Sequence, residues 1–215
     1  MAEFDMRNTL RETGVVPVVV MDSEEPAVPL AKCLVAAGVK MIEVTLRRPA
    51  AWKVMERVIA EVPEIIVGAG SVTNTSQLER LAKMGVRFAV SPGLTVNLIR
   101  AARNLNVPYL PGAVTASEIL TGLEEGLTTL KFFPAELSGG VAMLNALRGP
   151  LPDVMFCPTG GIDVDNAATY ASCPNVIAVG SSWVVPEGAI MAGQWQEIAD
   201  RVERFRAIMR QEIAV

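Results

Sequence analysis

The sequence predicts a single-domain α/β fold, a (β/α)8 TIM barrel, and three observations carry that expectation. Short β-branched runs alternate with longer segments of helical period, eight of each along the chain. The short runs are apolar on both alternating faces, as strands of a parallel sheet covered by helices must be. Finally, the 215 residues show no linker or low-complexity tract, and such a length suits one domain or at most two. An open doubly wound sheet uses the same units, because strand order is not readable from sequence. Eight units without a composition break favour closure.

Residues 1–13 form a short segment before the first strand. They carry Glu3, Asp5 and Arg7 without an apolar core, so no secretory signal is evident. The expected strands are Val15–Val20, Met41–Leu46, Ile65–Gly70, Phe88–Pro92, Val107–Pro111, Thr129–Pro134, Val154–Thr159 and Val176–Gly180. Between and after them, helical periodicity covers Pro26–Ala37, Pro49–Glu61, Ser76–Met84, Val96–Asn104, Ala116–Glu125, Gly140–Leu147, Asp165–Ala171 and Gln194–Gln211. Gly38, Gly85 and Gly126 each stand between a helix and the next strand, in AAGV, KMGV and EEGL. There a left-handed residue ends the helix, and glycine adopts it without a Cβ penalty.

Composition narrows the chemistry. With no histidine, the chain has no Ser-His-Asp or Cys-His nucleophile and none of the usual His-based zinc or iron ligand sets. Acid–base work must come from Glu, Asp, Lys, Tyr or Cys. A net charge of −4 carries no basic excess for nucleic acid. Cys33, Cys157 and Cys173 form no CxxC pair, and free thiols in a reducing cytoplasm are the simplest reading. The longest charge-free stretch, Asn166 to Pro186, holds too many polar residues and prolines to span a membrane.

In a barrel of this kind the active site lies at the C-terminal ends of the strands. Lys131 stands in TLKFFP between Leu130 and Phe132, in a strand expected to be buried on both faces. An ammonium there is costly unless paired, so its pKa should fall and free the amine to attack a carbonyl. The alternative is a lysine that snorkels to the strand end or pairs with a carboxylate. In EVTLR, a period of two puts Glu43, Thr45 and Arg47 on one side of the second strand. Arg47 would hold a carboxylate through two parallel hydrogen bonds and Glu43 would move protons, unless the two simply neutralise each other.

Two glycine-rich ends follow on consecutive strands, Thr159-Gly160-Gly161 and Gly180-Ser181-Ser182. Glycines let backbone N–H groups close on an anion, and the loops after the last two barrel strands are a frequent phosphate site. Tight turns at crowded corners are the alternative. Ser71 ends the third strand within reach of a substrate. Its flanking Gly68 and Gly70 form no dinucleotide fingerprint and are read as relieving packing. Pro92, in Ser91-Pro92-Gly93, closes its strand and either shapes the pocket floor or turns the loop, and Cys157 is a packing residue. An amine, a carboxylate, a guanidinium and a phosphate cradle at one mouth suit carbon–carbon chemistry beside the carbonyl of a phosphorylated acid. A phosphate-binding barrel without a covalent intermediate and a non-catalytic sensor are the competing readings.

GVVPV (14–18), EVTLR (43–47), VGAGS (67–71), SPG (91–93), KFFP (131–134), CPTGGI (157–162) and GSSWV (180–184) together resemble the 2-keto-3-deoxy-6-phosphogluconate (KDPG) aldolases. These often also act on 4-hydroxy-2-oxoglutarate (KHG). The resemblance runs from about Thr13 to Trp195. It implies a class I aldolase of carbohydrate metabolism, a cytoplasmic homotrimer of (β/α)8 barrels. Such an enzyme cleaves the phosphorylated keto acid to pyruvate and glyceraldehyde 3-phosphate in the Entner–Doudoroff pathway. It needs no external cofactor, since a lysine imine does the work, and its partners are small molecules rather than nucleic acid or membrane.

Carried over by position, Lys131 is the Schiff-base lysine and Glu43 the proton-transferring residue. Arg47 grips the pyruvyl carboxylate near Ser71 and Thr159, Phe133 packs on the substrate with Pro92 in the pocket floor, and Gly160, Gly161, Gly180 and Ser182 form the phosphate end. Members commonly carry Thr where this chain has Ser71, so a hydroxyl is kept and a methyl lost.

Overall fold

A computed structural model describes residues 5–213, with side chains described through Arg210. Eight parallel strands form a curled sheet, each followed by a helical segment. They are β1 (Val15–Val19), β2 (Met41–Thr45), β3 (Ile66–Gly70), β4 (Phe88–Ser91), β5 (Tyr109–Pro111), β6 (Thr129–Phe132), β7 (Met155–Pro158) and β8 (Val179–Ser181). Six of them pair in the order β5-β4-β3-β2-β1-β8, and β6 pairs with β7. Single bridges join the two groups, Gly112 with Lys131 on one side and Phe156 with Val176 and Thr159 with Gly180 on the other.

The sequence expectations for the helices hold to within about two residues at the ends, the ordinary uncertainty of a boundary. They are α2 (Ala27–Ala36), α3 (Ala51–Glu61), α4 (Thr75–Met84), α5 (Val96–Asn104), α6 (Ala116–Glu124), α7 (Gly140–Arg148), α8 (Ala167–Ala171) and α10 (Trp195–Ile213). Starts are set by side chains that satisfy otherwise unpaired N–H groups. Asn74 accepts from the Gln77 N–H, Thr95 from that of Leu98, and Thr115 forms a reciprocal capping box with Glu118. Ends are set by Gly38, Gly85 and Gly126, which take φ of 76°, 83° and 81° as their position requires. The expected strand 176–180 begins later, at Val179, because Val176 makes only one isolated bridge.

Three elements are additional to the sequence reading. A 3-10 turn covers Glu136–Ser138 and a short helix, α9, covers Glu187–Met191. The third lies in the segment before the first strand, where α1 (Met6–Thr13) forms with Asp5 capping the Asn8 N–H.

Side-chain alternation divides the core in two. Ile42, Val44, Val67 and Ala69 face outward and pack with Leu30, Leu34, Val54 and Leu78 of the helices. Their neighbours face inward, where Val16, Met41, Phe88, Val90, Leu110, Cys157, Ile177 and Ala178 make a separate inner cluster. Leu10 of α1 belongs to that inner cluster and is fully buried. Since Met41 and Phe88 begin their strands, α1 closes the sheet's N-terminal end. Burying one leucine side chain in this way contributes roughly 1.5–3 kcal/mol. The polar groups then gather at the opposite end.

Candidate active site

The inner face of β2 carries Met41, Glu43 and Thr45 in alternation, and its outer face Ile42 and Val44, as the period of two requires. Lys131 projects inward from β6, in register with Cys157 of β7. The two charged groups meet in the interior, with Lys131 Nζ 3.1 and 3.3 Å from the two carboxylate oxygens of Glu43. Their side chains are only 6% and 4% exposed. A buried pair persists only when its partners are close and hydrogen-bonded, and removing either leaves an uncompensated charge. Of the two alternatives read from the sequence, the neutralisation of Glu43 by Arg47 does not form, whereas the pairing of Lys131 with a carboxylate does, with Glu43 as the partner.

Gly70 makes the pair possible. A Cβ there would lie 2.1 Å from Glu43 Oε1 and 2.7 Å from its Cγ, so the carboxylate lies directly over this glycine. Of Gly68 and Gly70, both expected to relieve packing, only Gly68, which would otherwise collide with the Phe88 ring at 2.1 Å, has that role. Phe133 extends the lysine's surroundings, its ring centroid 5.3 Å from Nζ. Cys157 is buried beside the pair, and burial pushes its thiol up to about 12. It is therefore a neutral packing group, as expected.

Arg47 follows β2 and is exposed at the mouth, with Nε donating to Ser71 Oγ at 3.2 Å. Its terminal nitrogens have no acceptor among the described residues, which leaves the fork of the guanidinium open to a carboxylate. Ser71 sits at φ 59°, a left-handed value that a small side chain tolerates better than a β-branched one. Pro92 is exposed above β4, and Gly112 lets its carbonyl approach, since a Cβ on Gly112 would be 2.2 Å from that oxygen. Beneath it, the buried Tyr109 hydroxyl donates to Ser91 Oγ, which in turn donates to the Gly93 carbonyl, each at 2.6 Å.

At the other side of the mouth the chain turns sharply. Gly160 and Gly161 have φ of 103° and 78°, values suited only to glycine. Each carbonyl of residues 159–162 accepts a bond from elsewhere in the protein. Thr159 O takes the Ala135 N–H at 2.9 Å and Gly160 O that of Glu136 at 3.2 Å. Gly161 O takes Asn166 Nδ2 at 2.9 Å, and Ile162 O takes Ser181 Oγ at 2.7 Å. Among the described residues no group accepts from the N–H of Gly161 or Ile162, whereas the Gly160 N–H faces Gly180 in the bridge that pairs Thr159 with Gly180.

A turn whose carbonyls are tied back and whose Gly161 and Ile162 amides are unspent presents a positive concavity. It borders a cavity of about 490 Å³ lined by Gly161, Ile162, Ser182 and Trp183, with Val18 and Val185 among its apolar walls and Asp163 and Glu187 among its acidic residues. Gly180 lies beneath Thr159, where a Cβ would meet Thr159 Oγ1 at 2.4 Å. Thus the structure brings together Lys131, Glu43 and Phe133, then Arg47 with Ser71, and then Gly161 with Ser182. Lys131, Glu43 and Arg47 do not line the cavity at the glycine turn.

A family model described as KDPG and KHG aldolase matches residues 6–201. The chain belongs to this family. It is 48% identical over 184 residues to the KHG/KDPG aldolase of Escherichia coli, covering 86% of each chain. Among solved structures it resembles the KDPG aldolase of Legionella pneumophila, with pyruvate captured as a covalent carbinolamine intermediate. The TM-score is 0.90 at 41% identity, covering 93% of this chain and 97% of that one. The Zymomonas mobilis 2-keto-3-deoxy-6-phosphogluconate aldolase with 3-phosphoglycerate gives 0.89 at 38% identity, covering 97% and 98%. Membership of the KDPG and KHG aldolase family thus spans the described fold from α1 into α10.

Proposed function

We propose that this chain is a class I aldolase. It reversibly cleaves 2-keto-3-deoxy-6-phosphogluconate to pyruvate and glyceraldehyde 3-phosphate, and 4-hydroxy-2-oxoglutarate to pyruvate and glyoxylate. The observation that carries the reading is the buried Lys131–Glu43 pair, in a family one of whose members holds pyruvate as a carbinolamine. We further read the chain as one closed (β/α)8 domain, supported by the bridges that join the six-stranded and two-stranded sheets. A homotrimer in the cytoplasm is the setting that the family resemblance implies, and light scattering tests the assembly.

In this reading the Lys131 amine adds to the C2 ketone, and loss of water from the carbinolamine gives an iminium. The iminium draws the electron pair of the C3–C4 bond onto C3, while Glu43, directly or through a water, takes the proton of the C4 hydroxyl. The aldehyde leaves and an enamine of pyruvate remains on the lysine. Returning a proton to C3 and adding water at C2 releases pyruvate and restores the amine. Lys131 supplies the electron sink, so no external cofactor enters.

Arg47 holds the substrate carboxylate, with Ser71 fixing its Nε and Thr159 at the same end. Phe133 and Pro92 shape the pocket, and Gly160, Gly161, Gly180 and Ser182 receive the phosphate at the anion-binding turn. The deciding experiment is intact mass with peptide mapping after incubation with pyruvate and sodium borohydride. A reduced adduct on Lys131 is expected. A folded protein with no adduct would favour a phosphate-binding barrel acting without a covalent intermediate.

A further inference from the structure

We propose that Glu136, held by the Tyr170 hydroxyl, is a positioning residue that fixes the Gly160–Gly161 turn in its anion-binding form. It thereby sets the preference for phosphorylated over unphosphorylated substrate. The inference rests on the phosphate end assigned above.

Glu136 meets the turn twice. Its N–H donates to the Gly160 carbonyl at 3.2 Å, which turns that oxygen away from the mouth. Its side-chain stem lies against Gly161, where a Cβ would stand 2.7 Å from Glu136 Cγ and 2.9 Å from its Cβ. The carboxylate is then tied back, since Oε1 accepts from the Tyr170 hydroxyl. Tyr170 is fully buried in α8, the helix that follows the turn, so its hydroxyl is an anchor with little freedom to move. Burial first, then the Glu136 carboxylate as acceptor and as a negative neighbour, holds the phenol above its ordinary range. Gly140 leaves room for the contact, since a Cβ there would be 3.2 Å from the hydroxyl and 3.4 Å from Oε1.

The tie has an electrostatic consequence. A carboxylate beside unspent amides competes with any anion that they bind, and a released Glu136 would repel a phosphate. Held by Tyr170, it braces the turn while its charge is directed into a hydrogen bond. Removing the hydroxyl should therefore harm phosphate binding more than neutralising the carboxylate does, an order that a purely packing role would not produce.

The test uses the full chain and inorganic phosphate as the probe, titrated by calorimetry, with Glu136→Ala, Glu136→Gln and Tyr170→Phe. Glu136→Ala and Tyr170→Phe should raise the phosphate Kd and the KM for the phosphorylated keto acid about tenfold, the scale of one lost hydrogen bond. Glu136→Gln, whose amide oxygen still accepts from Tyr170, should recover most of the loss. Pyruvate adduct yield, and kcat/KM for 4-hydroxy-2-oxoglutarate, should stay within about twofold of the parent.

Equal losses on both substrates, or an unchanged phosphate Kd in Glu136→Ala and Tyr170→Phe, would overturn the proposal. So would a parent protein that binds no phosphate. A parent that binds phosphate but forms no pyruvate adduct would instead refute the aldolase reading, and the phosphate titrations would still judge Glu136. Should Glu136→Ala fail to fold, Tyr170→Phe keeps the ring and decides alone.

Discussion

Substituting Gly70 with alanine tests the role of Glu43 without altering any charged group. Gly70 has no positive φ, so alanine suits its backbone, and the three atoms nearest the new Cβ all belong to Glu43, with Oε1 at 2.1 Å. Ordinary contact begins at 3.4 Å, so the Glu43 carboxylate must retreat by more than about 1 Å. The bonds it accepts from Lys131 are 3.1 and 3.3 Å long, so a shift of that size away from the lysine breaks them. Misplacing a reacting group by this much costs about a hundredfold in rate, and the added methyl costs roughly 1–3 kcal/mol in stability. The assay is kcat for cleavage of the phosphorylated keto acid beside borohydride trapping of pyruvate and a thermal melt. A folded Gly70→Ala protein with slowed cleavage and persisting adduct is expected. Parent-level kcat in that protein would show that Glu43, as placed over Gly70, is not the proton carrier.

Lys131→Met should abolish the trapped adduct by mass spectrometry. Adding Glu43→Gln should then restore stability in a denaturant melt, because it removes the charge left unpaired. For Arg47→Ala, the pyruvate Kd is expected to rise about tenfold or more, and Arg47→Lys to recover it only in part, since an ammonium lacks the planar fork. Equal pyruvate binding by Arg47→Ala would refute its assignment. Cys157 should stay unmodified by a thiol reagent at pH 8, as mass mapping would show. Burial pushes its thiol up to about 12, so almost no thiolate is present there and labelling should begin only when the chain unfolds. Leu10→Ala should lose about 2–5 kcal/mol in a chemical denaturation curve, with KM unchanged.

Much of this was legible because the relevant signals are local. Gly38, Gly85 and Gly126 punctuate the repeat, and the apolar runs around them set the strands. The charges of Glu43 and Lys131 stand out against such runs. What escaped depends on distant partners. In α1 the apolar Met6 and Leu10 stand among Arg7, Asn8, Thr9, Arg11 and Glu12, too sparse a stripe to announce a helix. Its apolar contact is with the far ends of several strands. Gly70 looks like any small strand residue until a carboxylate is found lying across it. Glu136 could have been noticed in KFFPAE, yet nothing in that spelling reveals a tyrosine more than thirty residues later as its anchor.

In the closed barrel proposed above, Leu10 caps the inner cluster at the N-terminal end of the strands, and the interior is then a blind passage. Substrate, both products and every water consumed in hydrolysis must share the entrance flanked by Arg47 and the glycine turn. In the proposed reaction the aldehyde departs while pyruvate is still bonded to Lys131, and the incoming water follows the same route. Traffic through that doorway is therefore ordered, and in the synthetic direction an aldehyde can only arrive after the pyruvyl group has been loaded behind it.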